Sequence, residues 1–302
     1  MKMIKIGTYL VKDASLPASE RLRMTVDAGF DFMCLTTGAL FSGDLTPAMC
    51  QAAGVDFDNV HLTGKETTLI WSEGEAGQRV TERYCDEIRR VTDFGIRTGI
   101  IHVTWGATKK PAPISEMALG RFEQIIRTAE KYDFDLAFEN SVFPEYLYAV
   151  LDRFDSPRAR YCFDSGHRNA FTPGENFVAR YGDRLAATHM QDNEGASDLH
   201  MMPYDGSIDW SSIAHMLAGT ALGRDHICAE IAGVVSRECP GLSAEEIRRS
   251  LSRIAILDDP ALVEIADGGF TIYGKLTYAE RVARLAAAMR RLAAAVEAKA
   301  GL

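Results

Sequence analysis

Short apolar runs alternate with longer amphipathic stretches from one end of this 302-residue chain to the other. The runs at 4–9, 32–36, 59–62, 98–104, 135–140, 160–164, 185–191 and 226–231 have strand length. Between them, apolar residues recur at spacings of three and four, as in Val80, Tyr84, Ile88 and Val91, and again in Leu119, Phe122, Ile126 and Ala129. That period predicts helices with one face toward a core. Ser115 ahead of residues 117–129, and Thr46 ahead of Pro47, read as helix starts. Eight strands alternating with helices in this length predict an α/β fold of the (β/α)8 TIM-barrel type. A doubly wound open sheet is the alternative, but Gly7 is followed by Thr-Tyr-Leu and not by the glycine-rich turn such a sheet places after its first strand.

Beyond the eighth strand, residues 242–257 read as the eighth helix, with Ser243 as cap and Glu245 and Glu246 in the first turn. Residues 258–276 are irregular. A long helix follows at 278–299, with Val282, Leu285, Met289, Leu292 and Val296 at alternating spacings of three and four. This stripe either packs on its own barrel or forms a three-heptad seam to a second copy in a homo-oligomer. The division expected is a barrel over residues 1–257 and a C-terminal helical extension over 258–302.

At 47% hydrophobic residues, the chain can bury a full core without staples. Its formal charge is −9, and the doublets Arg89-Arg90, Lys109-Lys110, Arg248-Arg249 and Arg290-Arg291 are scattered, so no basic stripe marks a nucleic-acid groove. None of the six cysteines forms a Cys-x-x-Cys pair, and Cys34, Cys162 and Cys228 lie in apolar runs. Reduced, buried thiols of that kind suit the cytoplasm. The N-terminal apolar run is too short for a signal peptide, and no stretch is long and uncharged enough to span a membrane. A soluble, cytoplasmic protein is expected.

The polar residues at the strand ends change this picture. His61 ends the third strand, His102 the fourth, Glu139 the fifth, Asp164 the sixth, His189 the seventh and Glu230 the eighth. In a barrel these ends open onto one face, the face that holds the active site. His167, Asp198 and His200 lie close by in sequence, completing a ligand mix suited to Zn²⁺, Mn²⁺, Co²⁺ or Fe²⁺. Asp198 and His200 are two apart, on the same side of an extended segment, and a turn at Gly166 would bring Asp164 to His167. Glu139 and Glu230 sit in apolar contexts and need a metal or a hydrogen-bond partner, the alternative being a structural salt bridge. Trp71 and Trp105 follow the third and fourth strands, where each would stack on a sugar or pack its loop. Asp192 and Asn193 shape a loop or bind a ligand, Trp210 packs at a helix start, and His215 and His226 fall outside the rim pattern.

The runs Ala137-Phe-Glu-Asn140, Phe163-Asp-Ser-Gly-His167, Thr188-His-Met-Gln-Asp-Asn193, Asp198-Leu-His200, Gly206-Ser-Ile-Asp-Trp210 and Ala229-Glu230 resemble the xylose-isomerase-like TIM barrels. That superfamily holds sugar isomerases and epimerases, together with apurinic-site endonucleases. The resemblance implies one divalent metal (Mn²⁺, Zn²⁺, Co²⁺ or Mg²⁺) on Glu139, Asp164, His189 and Glu230. It also implies proton exchange by the two glutamates through a metal-stabilised enediolate, and a substrate contact from His167. His200, Trp105 and Trp71 are further candidates for substrate contact. The endonuclease branch binds three zinc ions through nine positions, and all nine have counterparts here once His61, His102, His167, Asp198 and His200 are included. The expected activity is therefore a sugar isomerase or epimerase. The rivals are a trinuclear zinc phosphodiesterase, a metal-dependent lyase or dehydratase on an oxidised sugar, and a non-catalytic sugar-sensing barrel. The loops after the seventh and eighth strands lack a run of Arg, Lys and Gly, which favours an unphosphorylated substrate.

Overall fold

Eight parallel strands close into a barrel in a computed structural model that describes residues 3–106 and 110–302. Lys109, half of one basic doublet, lies outside the described residues. The strands are β1 (Lys5–Tyr9), β2 (Phe32–Thr36), β3 (Asp56–His61), β4 (Thr98–His102), β5 (Asp135–Glu139), β6 (Ala159–Asp164), β7 (Leu185–His189) and β8 (His226–Ala229). Pairing runs β7-β6-β5-β4-β3-β2-β1-β8. The ring is completed just past β7, where Met190 bridges Ala229 in parallel and its N–H donates to the Cys228 carbonyl at 2.8 Å. The predicted (β/α)8 barrel is the observed fold.

Side chains alternate between the inside of the barrel and the helix layer, as strand geometry requires. Leu136, Phe138, Tyr161 and Phe163 point outward into the main core. Ile100, Ala137, Cys162 and Ala187 form a separate inner cluster, and Tyr9, Phe32, Cys34 and Cys228 form another. Most of these inner residues are small. Gly7 belongs with them, since a Cβ there would lie 2.1 Å from the Phe32 ring. One step of the alternation above this layer come His102, Glu139, Asp164, His189 and Glu230. The small inner layer thus leaves room for a polar layer at the C-terminal mouth.

Helices α1 (Ala18–Asp27), α2 (Thr37–Ser42), α3 (Pro47–Ala52), α4 (Glu75–Thr92), α5 (Glu116–Lys131), α6 (Pro144–Leu151), α7 (Ser165–Phe171), α8 (Phe177–Tyr181) and α9 (Trp210–Ala218) lie between the strands. Two of the three predicted caps begin α3 and α5. The Ser115 hydroxyl accepts from Ala118 N–H, and the Thr46 hydroxyl accepts from Met49 N–H with Pro47 as the first helical residue.

The chain after β8 departs from expectation. It forms β9 (Val235–Glu238), α10 (Ala244–Ser250), β10 (Val263–Ala266), β11 (Gly269–Ile272) and α11 (Tyr278–Ala300). Ser243 and Glu246 make the capping box of α10, but the helix stops at Ser250, well short of the expected 257. Ala255 N–H donates to the Asp205 carbonyl at 2.9 Å, whereas a continuing helix would have turned it to Leu251. The segment expected to be irregular holds an antiparallel β10–β11 hairpin, turned by Asp267-Gly268 and joined on its other edge by β9.

Helix α11 lies against β1, α1 and α9, the place left for an eighth outer helix. Val282, Leu285, Met289, Leu292 and Val296 are all buried there, so the apolar stripe is covered by its own chain and not by a partner. Arg281 pairs with Asp13, Arg290 pairs with Asp31 at 2.9 Å, and Glu297 accepts from Ile4 N–H at 2.8 Å. Among the described residues, no helix is long and apolar enough to cross a membrane.

If α11 is part of the barrel, a chain ending at Leu257 exposes the faces of α1, α9 and β1 that it covers. Circular dichroism should then show loss of the cooperative thermal transition. A truncated chain melting with an unchanged midpoint would make residues 258–302 an appendage.

Candidate metal centre

Glu139 is fully buried at the end of β5 and sits among imidazoles. Its Oε1 is 2.8 Å from His189 Nδ1, and its Oε2 is 3.0 Å from His102 Nε2 and 3.5 Å from His61 Nε2. His189 Nδ1 also lies 3.0 Å from Glu230 Oε2 and 4.0 Å from Asp164 Oδ2. Ligand atoms of Glu139, Asp164, His189 and Glu230 all fall within 4.8 Å of one another. Two further groups meet the same criterion: His61 with Glu139 and His189, and His167 with Asp198 and His200. The ring of strand ends therefore does bring the nine candidates into one continuous polar site.

Local structure sets each of these side chains. Asp164 caps α7, its Oδ1 accepting from His167 N–H at 2.6 Å, which turns Oδ2 toward the centre. Asp198 and His200 meet at 3.0 Å, but not on an extended strand as the spacing suggested: His200 adopts φ +50°, a left-handed bend in the loop after β7. That loop is tied down by Asp192, whose carboxylate accepts from Asn193 N–H, Ile208 N–H and Trp210 Nε1. A Cβ on Gly206 would stand 2.3 Å from the Asp192 carboxylate, so only glycine fits there. Gln191 bridges the two acidic ligands, donating to Asp198 Oδ1 at 2.7 Å and to Asp164 at 3.3 Å.

The outer nitrogens of the histidines show what the inner ones are for. His61 Nδ1 faces the Leu62 carbonyl at 2.7 Å, His167 Nδ1 the Asn140 carbonyl at 2.9 Å and His200 Nδ1 the Glu230 carbonyl at 3.3 Å. A carbonyl only accepts, so each of these nitrogens carries the proton and the inward Nε2 keeps its lone pair when the ring is neutral. His189 is reversed. Its Nε2 lies 3.0 Å from the Tyr9 hydroxyl, which donates onward to Asn59, and its Nδ1 points inward. Outer partners that fix the tautomer in this way are characteristic of metal-binding imidazoles. Glu139 Oε2 is buried without a hydrogen bond, although it faces two imidazoles. The residues fit a divalent cation.

Charge balance points the same way. Burial alone would raise the Glu230 carboxyl, but His189 and His200 outweigh it and hold the group at about 2. Burial would also raise Glu139, and His189 and His102 hold it well below the ordinary range. Asp164, more weakly compensated, is pushed by burial up to about 7. Burial opposes charging of both His200 and His189, yet the bond to Asp198 lifts His200 to about 9, and neighbouring Cys162, Glu230, Tyr9 and Glu139 hold His189 well above its ordinary value. Protons on imidazoles thus supply the positive charge that a cation would bring.

Trp71 is corrected by the structure. It ends a 3-10 turn at Thr67–Trp71, is 1% exposed, donates from Nε1 to the Val103 carbonyl at 2.7 Å and packs on Phe122 and Tyr146. It is a core residue and not a sugar platform. Trp105 does stand at the mouth, half-exposed and edge-on to His102. It lines a compartment of about 250 Å³ with His102, Ser141, His167, Phe171 and Asp198. A larger cavity of about 520 Å³ opens on the other side, past Tyr9, Thr36, His200 and Glu230. His226 pairs with Asp225 and Asp58, away from the centre, as expected of a residue outside the rim. Tyr9, Gln191 and Asn140 were missed. Tyr9 ends β1 on the same rim, but a tyrosine does not interrupt an apolar run as a histidine or carboxylate does.

Because His200 and His189 are protonated at neutral pH and must be neutral to coordinate, metal binding should release protons and tighten as pH rises toward 9. Calorimetry in buffers of different ionisation enthalpy measures this directly. An affinity unchanged between pH 6 and 9 would contradict the balance described.

The comparisons with known proteins agree with the fold. The chain is 46% identical over 76 residues to the uncharacterized protein y4fM of Sinorhizobium fredii, a match spanning about a quarter of either chain. The structure of L-ribulose 3-epimerase aligns over 99% of this chain and 97% of its own, with TM-score 0.69 and 15% identity. A xylose isomerase-like TIM barrel/4-hydroxyphenylpyruvate dioxygenase fusion protein aligns over 82% of this chain with TM-score 0.62 and 15% identity, and the chain spans only 41% of its length. The sequence model of the xylose isomerase-like TIM barrel matches residues 22–238, and the chain belongs to that family.

Proposed function

We propose that the protein is a divalent-metal-dependent isomerase or epimerase of a sugar or related polyhydroxy carbonyl compound. The observation that carries this reading is the pair of ionised glutamates, Glu139 and Glu230, three strands apart around the ring and both on His189 Nδ1. The likeness to a structure named L-ribulose 3-epimerase supports it. Glu139, Asp164, His189 and Glu230 would hold the ion. A divalent ion there polarises a substrate carbonyl and eases the negative charge left when the adjacent proton departs.

The protein's own groups do the rest. Both glutamates are ionised at neutral pH, so either is competent as a base. One removes the proton next to the carbonyl and the other returns a proton from the opposite face. Tyr9 holds the His189 ring so that its Nδ1 stays inward. His167 and His200 border the two compartments and are placed to meet substrate oxygens, while Trp105 offers a ring at the mouth.

One observation favours a second reading, a trinuclear zinc phosphodiesterase. His61, His167 and His200 present inward nitrogens just as His189 does, and His167, Asp198 and His200 form a second ligand group. The net charge of −9 weighs against a nucleic-acid substrate for it.

Metal content per chain separates the two. One Mn²⁺, Co²⁺ or Zn²⁺ is expected, and three zinc ions would sink the isomerase reading. Solvent deuterium exchange into a panel of ketoses, with metal content measured in parallel, tests the proton transfer. Glu139→Gln or Glu230→Gln should each slow exchange by roughly 10²–10⁴-fold. Undiminished exchange in the double variant would remove both residues from the role.

A further inference from the structure

Carbonyl oxygens set the tautomers of His61, His167 and His200 directly, but His189 faces a hydroxyl, which can donate or accept. What decides its tautomer lies deeper in the barrel. Asn59 is fully buried, two residues short of the end of β3. Its Nδ2 donates to Asp58 Oδ2 at 2.8 Å and to Cys34 Sγ at 3.4 Å, and its Oδ1 accepts from the Tyr9 hydroxyl at 3.1 Å. A carboxylate only accepts, so Asp58 turns the amide nitrogen toward itself and leaves the amide oxygen for Tyr9. The single hydroxyl proton of Tyr9 is then spent on Asn59. The phenol oxygen is left to accept from His189 Nε2, 3.0 Å away. Nε2 therefore carries the proton, and the neutral ring keeps its lone pair on the inward Nδ1.

The strand is shaped to put Asn59 there. Met33 aligns with Phe57 but Leu35 with Val60, so β3 carries one residue more than β2 across this step. Such a bulge re-aims side chains and disrupts the ladder locally. Packing gives no reason for it. Tyr9 clusters inside the barrel with Phe32, Cys34 and Cys228, and apolar residues of the same shape in place of Tyr9 and Asn59 would fill that space at little cost. We propose that Asn59 is a positioning residue for the metal centre: oriented by Asp58 and acting through Tyr9, it holds His189 in the tautomer that presents Nδ1 to a cation. This deepens the metal-dependent reading and rests on it for the cation itself.

The test is titration of the chelator-stripped full chain with Co²⁺, followed through its visible absorption bands, which report affinity and coordination together. Asn59→Leu and Asp58→Asn are each made alone and in a Tyr9→Phe background. Asn59→Leu frees the Tyr9 proton for His189 Nε2 and should weaken Co²⁺ binding by roughly 10–100-fold, the effect of losing an outer partner of a metal-bound imidazole. Asp58→Asn lets the Asn59 amide turn over and should weaken binding in the same direction. The Asp58 side chain is 28% exposed, so this variant is expected to fold even where Asn59→Leu does not, and melting curves verify both. In the Tyr9→Phe background the route is already cut, and neither substitution should cost more than about 2-fold further. Unchanged affinity in either folded variant overturns the proposal. So do equal losses in both backgrounds, which would make the effect one of packing or charge. Those outcomes remove the relay and leave the metal centre standing. A wild-type chain that develops no Co²⁺ bands removes the centre, and the relay with it.

Discussion

Four carboxylates, Glu139, Asp164, Asp198 and Glu230, are gathered at one mouth of a closed barrel, and Glu139 is wholly out of water. Burying such charges without compensation costs several kcal/mol each, so the site exists only if positive charge is held among them. Imidazoles meet that demand in the protein alone: His167 and His189 are held well above their ordinary range and His200 at about 9, whereas burial pushes His102 down. The outward nitrogens of His61, His167 and His200 are anchored on carbonyls and that of His189 on Tyr9, which holds those four rings in orientation. The small residues one step below, Ala137, Cys162, Ala187 and Cys228, provide the space.

The rest of the scaffold serves to hold Asp198 and His200 over that mouth. Their loop is fastened at Asp192 and again at Met202, whose N–H donates to the Tyr273 hydroxyl at 3.1 Å. Tyr273 in turn donates to Asp205 at 2.7 Å, and Arg284 of α11 pairs with the same carboxylate. The hairpin β10–β11 and the last helix are thereby coupled to the rim by a buried hydrogen-bonded chain, which rigidifies when every member is satisfied.

The barrel was legible in the sequence because buried parallel strands separated by amphipathic helices leave a pattern that local residues alone determine. The rim was legible for the same reason: a polar residue ending an apolar run has few structural explanations, and Glu139, Asp164, His189 and Glu230 all stood out. Tyr9 did not, because a tyrosine ends an apolar run without breaking it. The small sheet was missed although Asp267-Gly268, flanked by Val263, Ile265, Phe270 and Ile272, carries a hairpin pattern. Trp71 was misplaced because its burial depends on Phe122 and Tyr146, which only the folded chain brings to it.

The central claim is that these residues converge on a cation. Anomalous diffraction from crystals grown with Mn²⁺ or Zn²⁺, recorded on both sides of the metal's absorption edge, tests it most directly. The account predicts a peak coordinated by Glu139, Asp164, His189 and Glu230. Density for a metal elsewhere, or none at this position in crystals saturated with either ion, would contradict it.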